Sequence, residues 1–169
     1  MGPTIAILPV KSLHAAKQRL TADLGGPQDG LARRMASGVL EALCAACSLD
    51  AVLVVTREPA IAARARTLGA EVVAEPELRG HNAAAALGVA RAVELGARRV
   101  LLAAGDCPLL TADAVDAAIA RHPDPGVVVF ADRHGTGTNG LLLSPPDAIE
   151  AAFGPGSRER HERLARAAG

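Results

Sequence analysis

Several short segments of this 169-residue chain carry side chains suited to handling phosphate. The stretch Pro9 to Leu20 holds Lys11, Lys17 and Arg19, and of the 18 basic residues these two are the only lysines, the rest being Arg. A lysine ammonium is a compact, mobile point charge that follows phosphate oxygens, whereas Arg19 offers a planar fork of donors. The segment therefore predicts a polyphosphate clamp, with a solvated basic loop as the plainer alternative. Its spacing is not G-x-x-x-x-G-K-[ST], which excludes a Walker-type P-loop.

A lone carboxylate, Asp106, follows the apolar run Arg99 to Ala103, and Pro108 ends that run. An acid so placed is suited to Mg²⁺, which keeps most of its waters and takes one or two carboxylates plus substrate phosphates. The alternative is a cap for the turn that follows. Asp132 to Asn139 is rich in donors, with Gly135, Gly137, Thr136 and Thr138, and reads either as an anion cradle or as a hairpin connection. Phe153-Gly154-Pro155-Gly156-Ser157 reads either as an anion site at the start of a final helix or as an ordinary capped helix, with Ser157 as its N-cap. His161 falls on that same helix. Cys44-Ala45-Ala46-Cys47 reads as core: a zinc site would need two more suitably spaced ligands, and the remaining cysteine, Cys107, is distant.

These residues need elements to hold them. Apolar runs predict strands at Thr4 to Leu8, Ala51 to Val55, Ala70 to Ala74, Arg99 to Ala103, Gly126 to Ala131 and Gly140 to Leu143. The first four are near-continuously apolar, as parallel strands covered on both faces should be. Leu31, Met35, Val39, Leu43 and Cys47 form a helical stripe. Further helices are predicted at Glu58 to Leu68, Asn82 to Leu95, Ala112 to Arg121 and Ser157 to Ala168, with Thr111 as an N-cap and Gly69 and Gly96 as C-caps. The alternation defines an α/β domain. In such sheets the ligand lies beyond the carboxyl ends of the strands, where the segments above all fall.

Composition narrows the function further. Eighteen acidic residues cancel the 18 basic ones, which argues against a general nucleic-acid binder, and with two Phe and no Trp or Tyr there is no base-stacking platform. No apolar run is long enough to span a membrane and Met1 to Val10 does not read as a signal peptide, so a cytoplasmic location is expected. Three cysteines in a reducing compartment predict no disulfide framework.

Taken in order, Pro-Val-Lys-x-x-x-x-Ala-Lys-x-Arg-Leu from Pro9, Gly-x-Asn-x-Ala from Gly80, Gly-Asp-x-Pro-Leu-Leu from Gly105, Asp-Arg-x-Gly-x-Gly-Thr-Asn from Asp132 and Phe-Gly-x-Gly-Ser-x-x-x-His from Phe153 resemble the phosphoenolpyruvate/2-phospho-L-lactate guanylyltransferases. Those enzymes make the activated intermediate of the deazaflavin coenzyme F420. The resemblance covers Ile5 to His161. It implies a Rossmann-like, GT-A-like nucleotidyltransferase fold with a mostly parallel sheet and helices on both faces, GTP as donor, Mg²⁺ as cofactor and a small phosphorylated three-carbon acid as acceptor. It also implies a downstream F420 transferase as consumer of the product. Carried over by position, Lys11, Lys17 and Arg19 face the triphosphate, Asn82 bounds the nucleotide, Asp106 holds the metal, and Thr138, Gly154 and Ser157 bind the acceptor.

Two departures accompany the resemblance. Family members usually continue past the last helix into another strand and an Asp-x-Asp-x-Pro segment, whereas residues 1–169 are expected to form a single domain without them; Asp132 is then the candidate second metal ligand. His81 stands where an aliphatic residue is expected. The expected reaction moves GMP from GTP to phosphoenolpyruvate. The alternatives are 2-phospho-L-lactate or 3-phospho-D-glycerate as acceptor, or a catalytically impaired nucleotide-binding module. A molybdopterin nucleotidyltransferase would carry a Leu-x-Gly-Gly loop, and Pro9-Val10-Lys11 is not that.

Overall fold

A computed structural model describes residues 2–11, 28–75, 80–122 and 124–169. The described elements run β1 (Thr4–Val10), α1 (Gln28–Ala45), β2 (Ala51–Thr56), α2 (Pro59–Thr67), β3 (Glu71–Ala74), α3 (His81–Glu94), β4 (Arg99–Ala103), α4 (Ala112–Ala120), β5 (Gly126–Ala131), β6 (Thr138–Ser144) and α5 (Ser157–Ala168). They form one sheet of order β3-β2-β1-β4-β6-β5. Strands β1, β2, β3 and β4 pair in parallel, while β6 is antiparallel to both β4 and β5. The chain moves outward from β1 to β3 and then crosses back to lay β4 on the other side of β1. That reversal makes the β1/β4 carboxyl ends the crevice where open α/β sheets bind ligands.

Period-two alternation divides the core into two layers. Ala6, Leu8 and Val10 of β1 face Val39, Leu40 and Leu43 of α1, Ile61 of α2 and Val115 of α4. Ile5 and Ile7 turn to the opposite face, beneath Ala84, Ala85 and Ala92 of α3, with Phe153 and Leu164 closing the edge. Strands β1, β2 and β4 are buried on both sides, which is why their sequences are almost unbroken apolar runs. The expectation fails for β3: as an edge strand it leaves Glu71 and Ala74 exposed and Val72 and Val73 half-buried.

Helix α1 corrects the predicted stripe. Residues four apart advance about 40° around a helix at each step, so a five-residue stripe drifts off the core. Leu31 is accordingly 52% exposed, and Cys47 lies exposed in the turn beyond the helix instead of in the core. The buried face is Ala36, Val39, Leu40 and Leu43, at helical spacings of three and four. Other local signals behave as expected. Thr111 Oγ1 accepts the Ala114 N–H at 3.2 Å as the α4 cap. Gly69 and Gly96 adopt φ of 80° and 75° just past α2 and α3, where the N–H groups of Ala70 and Ala97 reach back to Ala65 and Ala92 in Schellman fashion.

Candidate functional site

Lys11 and Asp106 lie just past the ends of β1 and β4, both exposed. Those strands are parallel neighbours with Ile7 opposite Leu102, so each residue stands four positions beyond a matched pair at the same edge of the sheet. His81, the first residue of α3, senses both. Burial pushes its imidazole below the ordinary pKa, the Lys11 ammonium pushes it further, and the Asp106 carboxylate opposes them. The strand pairing thus puts Lys11 and Asp106 at the same edge of the sheet, just past neighbouring strands. Lys17 and Arg19 lie outside the described residues.

Among the described residues the Asp106 carboxylate takes part in no hydrogen bond or ion pair, so it does not cap the following turn, which closes through its own backbone from Leu110 N–H to Cys107 C=O. An exposed carboxylate with its lone pairs unspent suits a divalent cation that draws its other ligands from water and phosphate. Asp132 is not such a group. Its Oδ1 accepts the N–H groups of His134 at 3.1 Å and Thr136 at 3.0 Å, and Gly137 packs so closely on the carboxylate that a Cβ there would lie 2.6 Å from Oδ2. Hydrogen bonding by Gly137, then by Thr136 and His134, outweighs desolvation and holds the Asp132 pKa below the usual carboxylate range. With Gly135 N–H donating to Asp132 C=O, the 132–137 segment spends its donors on closing a hairpin, not on cradling an anion. No cluster of three His, Cys, Asp or Glu among the described residues is arranged to hold a metal.

Thr138 meets α5 through His161, and Ser157 at the start of that helix donates its N–H to Gly154 C=O at 3.0 Å. Thr138 opens β6, two residues earlier than expected, beside a register shift at Phe130 and Ala131. The start of α5 abuts this loop through Arg158 N–H donating to Thr136 C=O at 3.2 Å. Gly156, at φ 68° and ψ 21°, is the N-cap of α5, and Ser157 is its first helical residue, 1% exposed. The predicted Ser157 cap is thus displaced by one: the chain must pass through a left-handed conformation to enter the helix, and glycine adopts it without strain. With no side-chain cap, the first N–H groups of α5 turn to backbone carbonyls, Ser157 N–H donating to Gly154 C=O at 3.0 Å and Arg158 N–H to Thr136 C=O, so these two are not free for an anion as the predicted site requires.

A second correction concerns Asn82. Its Nδ2 donates to Phe153 C=O at 3.2 Å and its Oδ1 accepts Phe153 N–H at 2.8 Å, so the amide grips both backbone polar groups of Phe153. Asn82 thereby ties the start of α3 to the turn that leads into α5. Arg160 belongs to this corner as well, and sequence reasoning missed it. Its guanidinium folds back to donate to Ala152 C=O at 2.9 Å and Pro155 C=O at 2.6 Å, and it enters none of the ion pairs among the described residues. A positive charge not neutralised by carboxylate lies under the Gly154 to Gly156 turn. In the sequence it is one of several arginines in a highly charged helix, indistinguishable from a solvated face.

A doubly wound sheet with Lys11 and Asp106 past the ends of neighbouring strands, and a glycine turn leading into α5, suits the handling of a nucleotide's phosphates, and the relatives of this chain make it a nucleotidyltransferase. The chain belongs to the family described as guanylyl transferase CofC like, whose model matches residues 4–169. Among its relatives, a phosphoenolpyruvate guanylyltransferase of Conexibacter woesei is 45% identical over 169 residues, covering 98% of this chain and 76% of the relative. Another, from Sphaerobacter thermophilus, is 41% identical over 167 residues, covering 98% and 80%. A solved nucleotidyl transferase from Methanothermobacter thermautotroptrophicus superposes with a TM-score of 0.66 at 18% identity over 99% of this chain and 85% of that one. A 4-diphosphocytidyl-2C-methyl-D-erythritol synthase does so at 0.60 and 18%, over 96% and 85%. These structural likenesses speak for the fold. No helix among the described residues is long and apolar enough to cross a membrane.

Proposed function

We propose that this chain transfers the guanylyl group of GTP to phosphoenolpyruvate, forming enolpyruvyl-diphospho-guanosine and pyrophosphate for coenzyme F420 biosynthesis in the cytoplasm, where a downstream transferase consumes the product. An oxygen of the acceptor phosphate attacks the α-phosphorus of GTP. The new P–O bond forms in line as the bond from the α-phosphorus to the bridging oxygen breaks, and that electron pair leaves with pyrophosphate. The acceptor phosphate is ionised at neutral pH, so the reaction needs no strong general base, in keeping with a site built from cations and backbone donors. Catalysis then rests on positioning and on neutralising charge.

Lys11, together with Lys17 and Arg19, is assigned to the triphosphate, and Asp106 to Mg²⁺. When bound, Mg²⁺ neutralises phosphate charge and orients the reacting phosphoryl oxygens. Thr138, Gly154 and Ser157 are assigned to the acceptor, with Arg160 adding positive potential from beneath. Asn82 is assigned to holding the acceptor turn against the nucleotide segment. The observation that supports this reading is the parallel pairing of β1 with β4 at the switch point, which puts Lys11 and Asp106 just past the ends of neighbouring strands.

The test is pyrophosphate release from GTP and Mg²⁺ with phosphoenolpyruvate, 2-phospho-L-lactate and 3-phospho-D-glycerate in parallel, each coupled to the downstream transferase. Release is expected to be fastest with phosphoenolpyruvate. Binding of GTP without release in any arm would leave only a nucleotide-binding module.

A further inference from the structure

His161 is fully buried, and both of its ring nitrogens are engaged. It lies four residues after Ser157, itself buried, so the two side chains share the inner face of α5. Nε2 accepts the backbone N–H of Ala152 at 2.8 Å and must therefore present a lone pair. Nδ1 lies 2.9 Å from Thr138 Oγ1. A neutral imidazole with its lone pair on Nε2 carries its proton on Nδ1, so the ring donates to the threonine oxygen. A doubly protonated ring would set Nε2–H against the Ala152 N–H. Burial first, and the neighbouring Arg160 charge second, push the pKa of His161 down and so favour the neutral ring.

This assignment has a consequence for Thr138. One lone pair of Oγ1 accepts from His161, so the hydroxyl proton cannot point back at the ring. Among the described residues Thr138 Oγ1 has no other hydrogen-bonding partner. The threonine is left as a donor with one direction already taken. The same histidine holds Ala152 N–H, Arg160 holds Ala152 C=O, and Asn82 holds both polar groups of Phe153, so consecutive peptide groups leading into the Gly154 to Gly156 turn are fastened. The Phe153 ring stands edge-on between His81 and His161, with centroids at 5.0 Å and 5.2 Å.

We infer that His161 is a positioning residue for the acceptor: fixed as the neutral Nδ1–H tautomer, it turns the hydroxyl proton of the buried Thr138 away from the ring, as a donor to the acceptor's anionic group, while pinning the turn that carries Gly154 and Ser157. The inference rests on the acceptor role proposed above for Thr138. It requires that the effects of His161 and Thr138 on the acceptor be one effect, and that they spare GTP.

Three variants of the full chain separate this from a purely structural role. His161→Gln can still accept from Ala152 but places no donor at the Nδ1 position; His161→Asn places an amide donor near it; Thr138→Val removes the hydroxyl. His161→Gln and Thr138→Val are each expected to raise the KM for phosphoenolpyruvate about tenfold or more, as for loss of a hydrogen bond to a charged group, with the KM for GTP within about twofold of wild type. The double variant should be no worse than the worse single, and His161→Asn should recover most of the loss. Parallel rises in both KM values, or multiplying effects in the double variant, would overturn the inference.

Nitrogen-15 spectra of the wild-type histidines supply a readout independent of turnover. His161 should show a protonated Nδ1 and a bare Nε2, and Thr138→Val should move the Nδ1 resonance. An Nε2–H tautomer would refute the positioning role even in an active enzyme. If no acceptor supports pyrophosphate release, the proposed activity fails, and direct titration of phosphoenolpyruvate into wild type and Thr138→Val decides the inference: equal affinity overturns it, and affinity weakened about tenfold or more sustains it.

Discussion

At the scale of single residues, the site separates groups that are spent from groups that are free. Asp132 and Asp106 both follow strands that end at the same edge of the sheet, yet hydrogen bonding within the hairpin occupies the first and leaves the second open. Asp106→Asn keeps the size and shape of the side chain and removes its charge. It is expected to lower turnover by at least about a hundredfold, the usual scale for losing one element of electrostatic stabilisation, with no loss of thermal stability because the carboxylate supports no other described residue. Steady-state kinetics beside a melting curve checks both halves, and near-normal turnover would remove the metal assignment. The place of Asp106 after a strand was legible in the sequence, but such a carboxylate is a weak signal by itself, since Asp132 follows an apolar run too, and the metal role came from the family resemblance. The Asn82 grip on Phe153 was not, since its partner lies 71 residues away.

At the scale of elements, the close seating of α3 decides how firmly its N-terminus, with His81 and Asn82, is held at the edge of the sheet. Gly88 makes that seating possible. A Cβ built there would overlap Ile7 Cγ2 and lie 3.1 Å from Val55 Cγ2, both on stiff β-branched side chains of the central strands. Gly88→Ala would gain helix propensity yet is expected to destabilise the protein by about 1–3 kcal/mol through overpacking. Denaturant unfolding measures the difference, and an unchanged or raised midpoint would refute the close packing. Element positions were readable to within about two residues because periodicity and capping are local signals. The predicted Ser157 cap and the Leu31 to Cys47 stripe failed where one residue of phase, or a slow drift around the helix, decided which side chain faced inward.

For the whole molecule, burying His161 as a neutral ring couples stability to pH. The unfolded chain protonates this side chain near its ordinary pKa of about 6.5, whereas the folded state resists, because burial and the Arg160 charge disfavour the cation. The unfolded state therefore binds the proton first as pH falls, so the melting temperature should drop between about pH 7.5 and pH 5.5, above the range where carboxylates titrate. His161→Gln should lessen the fall, leaving the part contributed by His81, whose pKa is likewise lowered by burial. A wild-type melting temperature that holds level or rises on acidification through that window would contradict the buried neutral ring. Read alone, the sequence determined the α/β alternation, the places of the strands and the residue types available for phosphate and metal, because these follow from local periodicity and from chemistry carried by single side chains. Only the tertiary structure decided which of those residues meet. The strand order that sets β1 beside β4, the Asn82 grip on Phe153 and the Thr138 to His161 to Ala152 chain of hydrogen bonds all join positions far apart in the sequence, and such pairings depend on how sheets and helices close in space, which no local window records.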